Sequence, residues 1–385
     1  MTFDRIQILE KLADVDAIAW NALAGNDPFL RHEFLNGLET SRCVCTETGW
    51  EPRHILLWRD SSLIGAMPLY VKHHSYGEYI FDWAWAEAYQ RHGLNYYPKL
   101  SSAIPFTPVS GARLLSDSPA TRARLAEAAL SLAEELKVSS LHILYPIQSQ
   151  AEELEGLGYK LRNSTQFHWR NRDYSSFDAF LAEMSQDKRK KIRQERRKIA
   201  EKNIRFVTLE GLAISRADWQ FFNRCYRTTY QQHYSSPYLN LDFFLSLGRD
   251  MPENIVMFKA IMNDRPIAVA LSFRNDTRLF GRYWGSDIYV PGLHFETCYY
   301  QGISYCIENR LEIFEGGVQG EHKLSRGLLP VNTFSSHWLA HPQFSAAIAS
   351  YLERESASVE RYVDELSELA PFKKVDKKNA AQGEP

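Results

Sequence analysis

The sequence predicts an α/β protein of two domains, and three observations lead there. Segments with helical periodicity alternate with short apolar runs of strand length, the chain is long for one ordinary core, and the order helix, strand, turn, strand recurs in its two halves. The 385 residues are 44% hydrophobic and 13% aromatic, a composition too apolar for disorder. The 45 basic and 47 acidic side chains nearly cancel, so no global field gathers nucleic acid and a polyanion has to meet a local patch. Five cysteines without a CxxC pair support neither a disulfide framework nor a zinc ribbon, and reduced thiols are expected. The first twenty residues carry acids throughout, and no run of about 18 apolar residues occurs, so a cytoplasmic protein without a transmembrane segment is expected.

The elements follow in order. Residues 13–23 read as a helix, and DPFLRHEFLNGLE as a second, with Asp27 as cap, Pro28 at the first helical position and Phe29, Phe34 and Leu38 on one face. His54 to Trp58 and Leu63 to Lys72 flank the turn RDSS as a hairpin, and the second run is expected to continue as a strand toward 81–86. ATRARLAEAALSLAEELKVSS is an amphipathic helix, LHILYP a short strand, and GYKLRNS with FHWRN a strand pair closing the first half near Arg172. In the second half come a helix from Trp219 to Tyr230 and strands at 256–261, 267–274 and 278–287. A helix from Phe295 to Glu308, a strand at 311–314 and an amphipathic helix from Pro342 to Leu369 complete it. The division expected is a first domain at 1–172, a linker with a basic helix at 173–205, a second domain at 206–370 and a tail at 371–385.

Four stretches concentrate chemistry. Glu315 to Gly327, EGGVQGEHKLSRG, interleaves two carboxylates, a histidine, a lysine and an arginine with four glycines just after a strand, where a backbone without Cβ atoms admits a ligand. Phe280 to Glu308 runs from an aromatic strand into a helix opening with His294 and Glu296, which serve either as base and orienter or as an ordinary capping pair. His74 to Pro108 packs aromatics among Glu78, Asp82, Glu87, Arg91, His92 and Lys99, as a binding surface for a sugar, base or acyl chain or as packing beneath a long loop. Lys188 to Lys202 carries nine basic residues against two glutamates, with Ile192 and Ile199 on one face, and is either a solvated linker helix or a phosphate-binding one. There is no H-E-x-x-H or equivalent pair, so no metal is expected. G-x-S-x-G, Walker and G-x-G-x-x-G motifs are also lacking, which argues against serine hydrolase, P-loop and Rossmann chemistry.

In NDPFLRHEFLNGLE, HSYGEYIFDWAWAEAY, PFTPVSG, QFHWRN, DKRKKIRQERRK, LFGRYWG, LHFETCYYQGI and FEGGVQGEHKLSRG the chain resembles the bacterial FemAB-like family of predicted N-acyltransferases, over roughly residues 20 to 370. That family is similar to the FemABX peptidyltransferases. The resemblance implies tandem GNAT-like domains, each a mixed, mostly antiparallel sheet flanked by helices. It also implies acyl or aminoacyl transfer to an amine, linked to peptidoglycan precursors. No resident cofactor is implied. The donor substrate is expected to be acyl-CoA or aminoacyl-tRNA, the latter held by the basic helix 188–202, and the acceptor a small-molecule or peptide amine. One departure bears on the donor: the Q/R-x-x-G-x-G/A loop of ordinary GNAT acetyltransferases is missing, and VPGLHFET stands in its place. Within this reading Glu315, Glu321 and His322 handle protons, and Lys323 and Arg326 bind a phosphate or carboxylate. Arg282, Tyr283, His294 and Glu296 line the same cleft, and Tyr76, Glu78, Asp82, Trp83 and Trp85 form a further substrate-binding surface. The alternative is a non-catalytic protein of the same fold that binds a cell-wall peptide or glycan. A donor-sized tunnel reaching the 315–326 loop discriminates between the two.

Overall fold

The computed structural model describes residues 4–232, 234–317 and 320–373. Among the described residues fourteen strands form. In the first half they are β1 (Asp4–Leu9), β2 (Trp50–Pro52), β3 (His54–Arg59), β4 (Ser62–Met67), β5 (Tyr70–Lys72), β6 (Lys99–Ser102), β7 (Ser140–Leu144) and β8 (Lys160–Arg170). The second half supplies β9 (Ile204–Glu210), β10 (Ile255–Met262), β11 (Arg265–Arg274), β12 (Arg278–Ser286), β13 (Ile313–Glu315) and β14 (Leu329–Leu339). A small sheet has the order β1-β3-β4, and one continuous eleven-stranded sheet runs β2-β5-β6-β7-β14-β8-β13-β12-β11-β10-β9. The result is the α/β architecture expected: a large mixed sheet flanked by helices.

Each half contains one parallel pair joined by a crossover helix. β6 and β7 are parallel across helix Pro119–Glu135, and β12 and β13 are parallel across the helical stretch 293–308, which contains a π-helical turn at Glu296–Tyr300. The halves also exchange strands. β8 pairs antiparallel with β14 from His168↔Leu329 to Lys160↔His337, while its end pairs with β13 from His168↔Glu315 to Arg170↔Ile313. The far edge of β14 pairs with β7, so the last strand of the chain sits between two strands of the first half.

Alternation along β11 divides the second half of the sheet into two faces. Val269, Leu271 and Phe273 pack under helices Arg216–Gln232 and Leu241–Asp250, and Ala270 faces the helix of residues 293–308 through Tyr299, Tyr300 and Ile303. Phe29 lies at the join, its ring 5.0 Å from Phe273 and 5.1 Å from Phe280.

Several expected elements take another form. The run 63–72 breaks at Pro68, which donates no ladder hydrogen bond, and its two parts enter different sheets. Residues 81–86 are not a strand: helix Trp83–Arg91 forms because Trp85 and Tyr89, four apart, bury together against Tyr96, Ile348 and Leu352. GYKLRNS and FHWRN are not two strands but the single strand β8. Asp27 does not cap a helix at Pro28. Its carboxylate is buried and accepts the Phe29 N–H at 2.9 Å, and the helix begins at His32. The helix expected at 13–23 is Ala17–Ala24, capped by Asp16 through the Ala19 N–H at 2.8 Å. The basic helix is Gln186–Ala200, with Ile192 and Ile199 buried as the apolar stripe requires. Among the described residues no helix is long and apolar enough to cross a membrane, no group of side chains is arranged to hold a metal ion, and all five cysteines are free.

Candidate functional site

The β12–β13 pairing lasts three residues, from Arg278↔Ile313 to Phe280↔Glu315. Beyond it β12 stays with β11 as far as Ser286, while the other chain leaves the sheet at Gly316 and Gly317. The strands therefore part, and among the described residues the facing edge of β12 has no strand partner beyond Phe280. Glycine is needed where they part: a Cβ on Gly281 comes within 3.1 Å of the Phe314 ring, and one on Gly316 runs into Leu328. Gly317 also has φ +83°.

The gap opens into a cavity of about 610 Å³. One wall is Arg282, Tyr283 and Trp284 of β12 together with Gly316, Gly317 and Lys323; the other is Tyr79, Tyr226, Tyr230 and Tyr238. On the opposite face of the sheet a chamber of about 100 Å³ lies between Leu271 and Ser272 of β11 and His294, Cys298 and Tyr299 of the crossover helix. Both spaces are lined by Gly281, Arg282, Tyr283, Trp284 and Gly316, so they lie back to back across β12 where the strands part.

Charge in this region is held away from water. Lys323 is 3% exposed and donates to the Gly317 carbonyl at 2.9 Å; burial lowers its pKa to about 8. Glu315, one residue behind the cavity-lining Gly316, is 2% exposed and pushed up to about 7 by burial, although Arg278 Nη1 lies 3.0 Å from its Oε1. Among the described residues its Oε2 is buried without a hydrogen-bond donor, 3.8 Å from His168 Nε2, whose imidazole burial holds neutral with a pKa lowered to about 3. Burial likewise lowers His294 to about 4, and it packs edge-on against Trp284 and Tyr299. Arg282 donates Nη2 to the Phe106 carbonyl at 2.9 Å, across the boundary between the halves.

The structure thus brings Lys323, Arg282 and Tyr283 to the large cavity and His294 to the smaller chamber behind it, while the buried Glu315 lines neither and sits one residue behind Gly316. His322 stands at the border, with Nε2 3.2 Å from the Tyr299 hydroxyl, and partial burial together with the nearby Arg326 and Lys323 lowers its pKa. The side chain of Glu321 lies outside the described residues. Arg326 does not serve the cavity, because it is buried under the Phe295 ring and pairs with Glu195 of the basic helix at 3.0 Å. Glu296, on the crossover helix, is likewise engaged elsewhere, held by Arg196 at 3.1 Å and by Gln301 at 2.8 Å. The Arg326–Glu195 and Glu296–Arg196 pairs dock the basic helix beside the cavity.

The first-half residues assemble elsewhere. Glu78 and Asp82 both engage the buried ammonium of Lys99, the Tyr96 hydroxyl donates to Asp82 at 2.6 Å, and Trp85 packs on His337. Burial opposes ionisation of Asp82, yet Lys99 and His142 more than offset it and hold the carboxyl below its usual range. Tyr76 and Trp83 are largely exposed, 5.2 Å apart, outside the cavity wall. What the sequence reading missed is the tyrosine wall. Tyr226 and Tyr230 are four apart on a helix, a spacing indistinguishable from ordinary core packing, and Tyr79 and Tyr238 come from loops.

The FemAB-like family, described as peptidoglycan biosynthesis/recognition, matches residues 11–374. No curated protein matches. Among solved structures, FemX superposes with a TM-score of 0.54 at 11% identity, covering 90% of this chain and 100% of that one. The C-terminal domain of a putative lysylphosphatidylglycerol synthetase from Agrobacterium fabrum gives 0.54 at 8% identity, covering 90% and 97%. L-PGS from Bacillus licheniformis gives 0.53 at 8%, covering 87% and 96%. These likenesses are of fold.

Proposed function

The chain belongs to the FemAB-like family, and from that premise we propose that it is an N-acyltransferase that moves an acyl or aminoacyl group onto an amine of a peptidoglycan-related acceptor. One observation carries the reading: where β12 and β13 part, a cavity of about 610 Å³ reaches Gly316, next to the buried carboxylate of Glu315, and the buried ammonium of Lys323. A cavity of this size reaching Gly316, Gly317 and Lys323 favours transfer over the alternative of a binding protein.

In this reading Glu315 takes one proton from the acceptor ammonium, with a pKa close to neutral pH as a general base needs. The amine nitrogen then forms a bond to the acyl carbon, the bond from that carbon to the donor oxygen or sulfur breaks, and the second amine proton leaves with the donor. Lys323 balances the charge that develops on the carbonyl oxygen, in a site where water is scarce and such an interaction is strong. No covalent intermediate is required, and Cys298 is unsuited to one because burial raises its thiol pKa far above neutrality.

Aminoacyl-tRNA is the donor favoured over acyl-CoA. Arg189, Lys190, Arg193 and Arg197 line the outer face of the basic helix in a groove of about 470 Å³, while its inner face is pinned beside the cavity by Glu195 and Arg196. Such a stripe neutralises several phosphates at once. The test is transfer of label from charged tRNA, and in parallel from acyl-CoA, to a peptide amine. The expected result is salt-sensitive transfer from tRNA that Glu315→Gln slows by about 10²-fold or more. Absence of transfer from either donor, or turnover untouched by Glu315→Gln, would reject the reading.

A further inference from the structure

A single N–H in the core faces two acceptors, and one of them belongs to Glu315. β8 and β13 are antiparallel, and Glu315 is the cross-strand partner of His168, so both side chains stand on one face of the sheet. Gln166, two residues earlier on β8, shares that face. All three are almost wholly buried, and among the described residues Glu315 Oε2 has no hydrogen bond, while Oε1 accepts from Arg278 Nη1 at 3.0 Å. The protons around it follow from one fixed carbonyl. That of Pro108, in the wall of the large cavity, can only accept, and it receives the Gln166 amide nitrogen at 2.8 Å. Gln166 Oε1 therefore points the other way, 3.3 Å from His168 Nε2, and as an acceptor it puts the imidazole proton on that nitrogen. The same nitrogen is 3.8 Å from Glu315 Oε2. One donor thus stands between a neutral amide oxygen and a carboxyl oxygen.

While Glu315 is neutral, the Gln166 oxygen is a sufficient partner for this N–H. Once Glu315 is ionised, Oε2 carries charge without a donor, and a charge-assisted hydrogen bond is roughly twice as strong as a neutral one. Closing the gap takes a movement of about 1 Å. We propose that His168 and Gln166 are positioning residues for Glu315: the His168 Nε2–H rests on Gln166 while the carboxyl is protonated and turns to Oε2 when it is ionised. His168 gives a hydrogen bond and takes no proton, because burial and the charges of Arg278, Arg170 and Lys323 keep its imidazole neutral. After burial, the other groups that bear on Glu315 are Arg278, which favours the carboxylate, the buried Asp27, which opposes it, and Arg282, which favours it. Among the described residues none of these hydrogen-bonds to Oε2. The proposal deepens the transferase reading by saying how its base is switched, and rests on it only for calling Glu315 a base.

The test is a carbon-13 NMR titration of the full chain labelled at its glutamate carboxyl groups, with the Glu315 signal assigned by its loss in Glu315→Gln; no turnover is needed. In the unaltered protein the midpoint is expected at about 7. His168→Phe keeps a ring but no donor and is expected to raise the midpoint by about one pH unit or more. His168→Gln, whose amide N–H reaches the place of Nε2, is expected to restore it. Gln166→Met removes the competing acceptor and is expected to lower it. A packing role for His168 does not predict opposite shifts from the two neighbours. A midpoint unmoved or lowered in His168→Phe, raised equally in His168→Gln, or unmoved or raised in Gln166→Met overturns the proposal; if His168→Phe does not fold, Gln166→Met decides alone. The acidic limb of kcat/KM is expected to follow these midpoints. NMR midpoints that move while that limb stays fixed would leave this inference standing and reject Glu315 as the base of the transferase reading.

Discussion

At the scale of single residues the site rests on two groups whose ionisation burial has displaced in opposite directions. Glu315 has to be a carboxylate to accept a proton and Lys323 an ammonium to stabilise an oxyanion, so the transfer rate is expected to rise with pH through about 7 and fall again above about 8. A pH–rate profile of kcat/KM checks this, and Lys323→Met is expected to remove the upper limb and about 10²–10³-fold of the rate. The same shift is a stability statement. The folded-state pKa of Glu315 is raised, so its contribution is fully present below its unfolded value near 4.5 and is lost as pH rises through about 7. Glu315→Gln is therefore expected to stabilise the fold by about 3 kcal/mol at pH 8 and by little at pH 4, as denaturant titration at the two pH values reads directly.

At the scale of elements the basic helix is the test case. Its inward Arg196 is the main partner of the buried Glu296, so Arg196→Met leaves a carboxylate supported by Gln301 and costs about 1–3 kcal/mol. Hydrogen exchange across residues 186–200 is expected to quicken in that variant, while Arg189→Met, on the outer face, weakens tRNA binding without loosening the helix. The sequence made this helix legible, because nine basic residues with two isoleucines seven apart admit few other structures. It made β12, the crossover helix and the glycine-rich turn legible for similar reasons. β14 was not legible. LPVNTFSSHWL has no apolar alternation, yet Thr333, Ser335, Ser336 and His337 are almost wholly buried, since they lie in the middle of a wide sheet whose inner positions there are polar. Nor could spacing show that Arg326 and Glu296 serve the helix and not the cavity, because their partners are 131 and 100 residues away.

At the scale of the molecule, the exchange of β8 and β14 ties the two halves into one sheet. Neither half can complete its hydrogen-bond ladders alone, so residues 1–172 expressed by themselves are expected to expose the edges of β7 and β8 and to aggregate. Urea unfolding of the full chain is expected to be a single transition. Tryptophan fluorescence and far-ultraviolet circular dichroism should have the same midpoint, and two separated midpoints would show that the halves unfold independently.

The same exchange fixes when this protein can mature in a living cell. Between the synthesis of Arg170, which ends β8, and that of Leu339, which ends β14, translation at about 5–20 residues per second takes on the order of ten to thirty seconds. For that interval a nascent chain with its first half already outside the ribosome has a strand-wide slot that only its own unfinished end can fill. Closure of the sheet thus waits on the emergence of β14, and a chaperone that shields strand edges is expected to raise the soluble yield more than a slower rate of synthesis does.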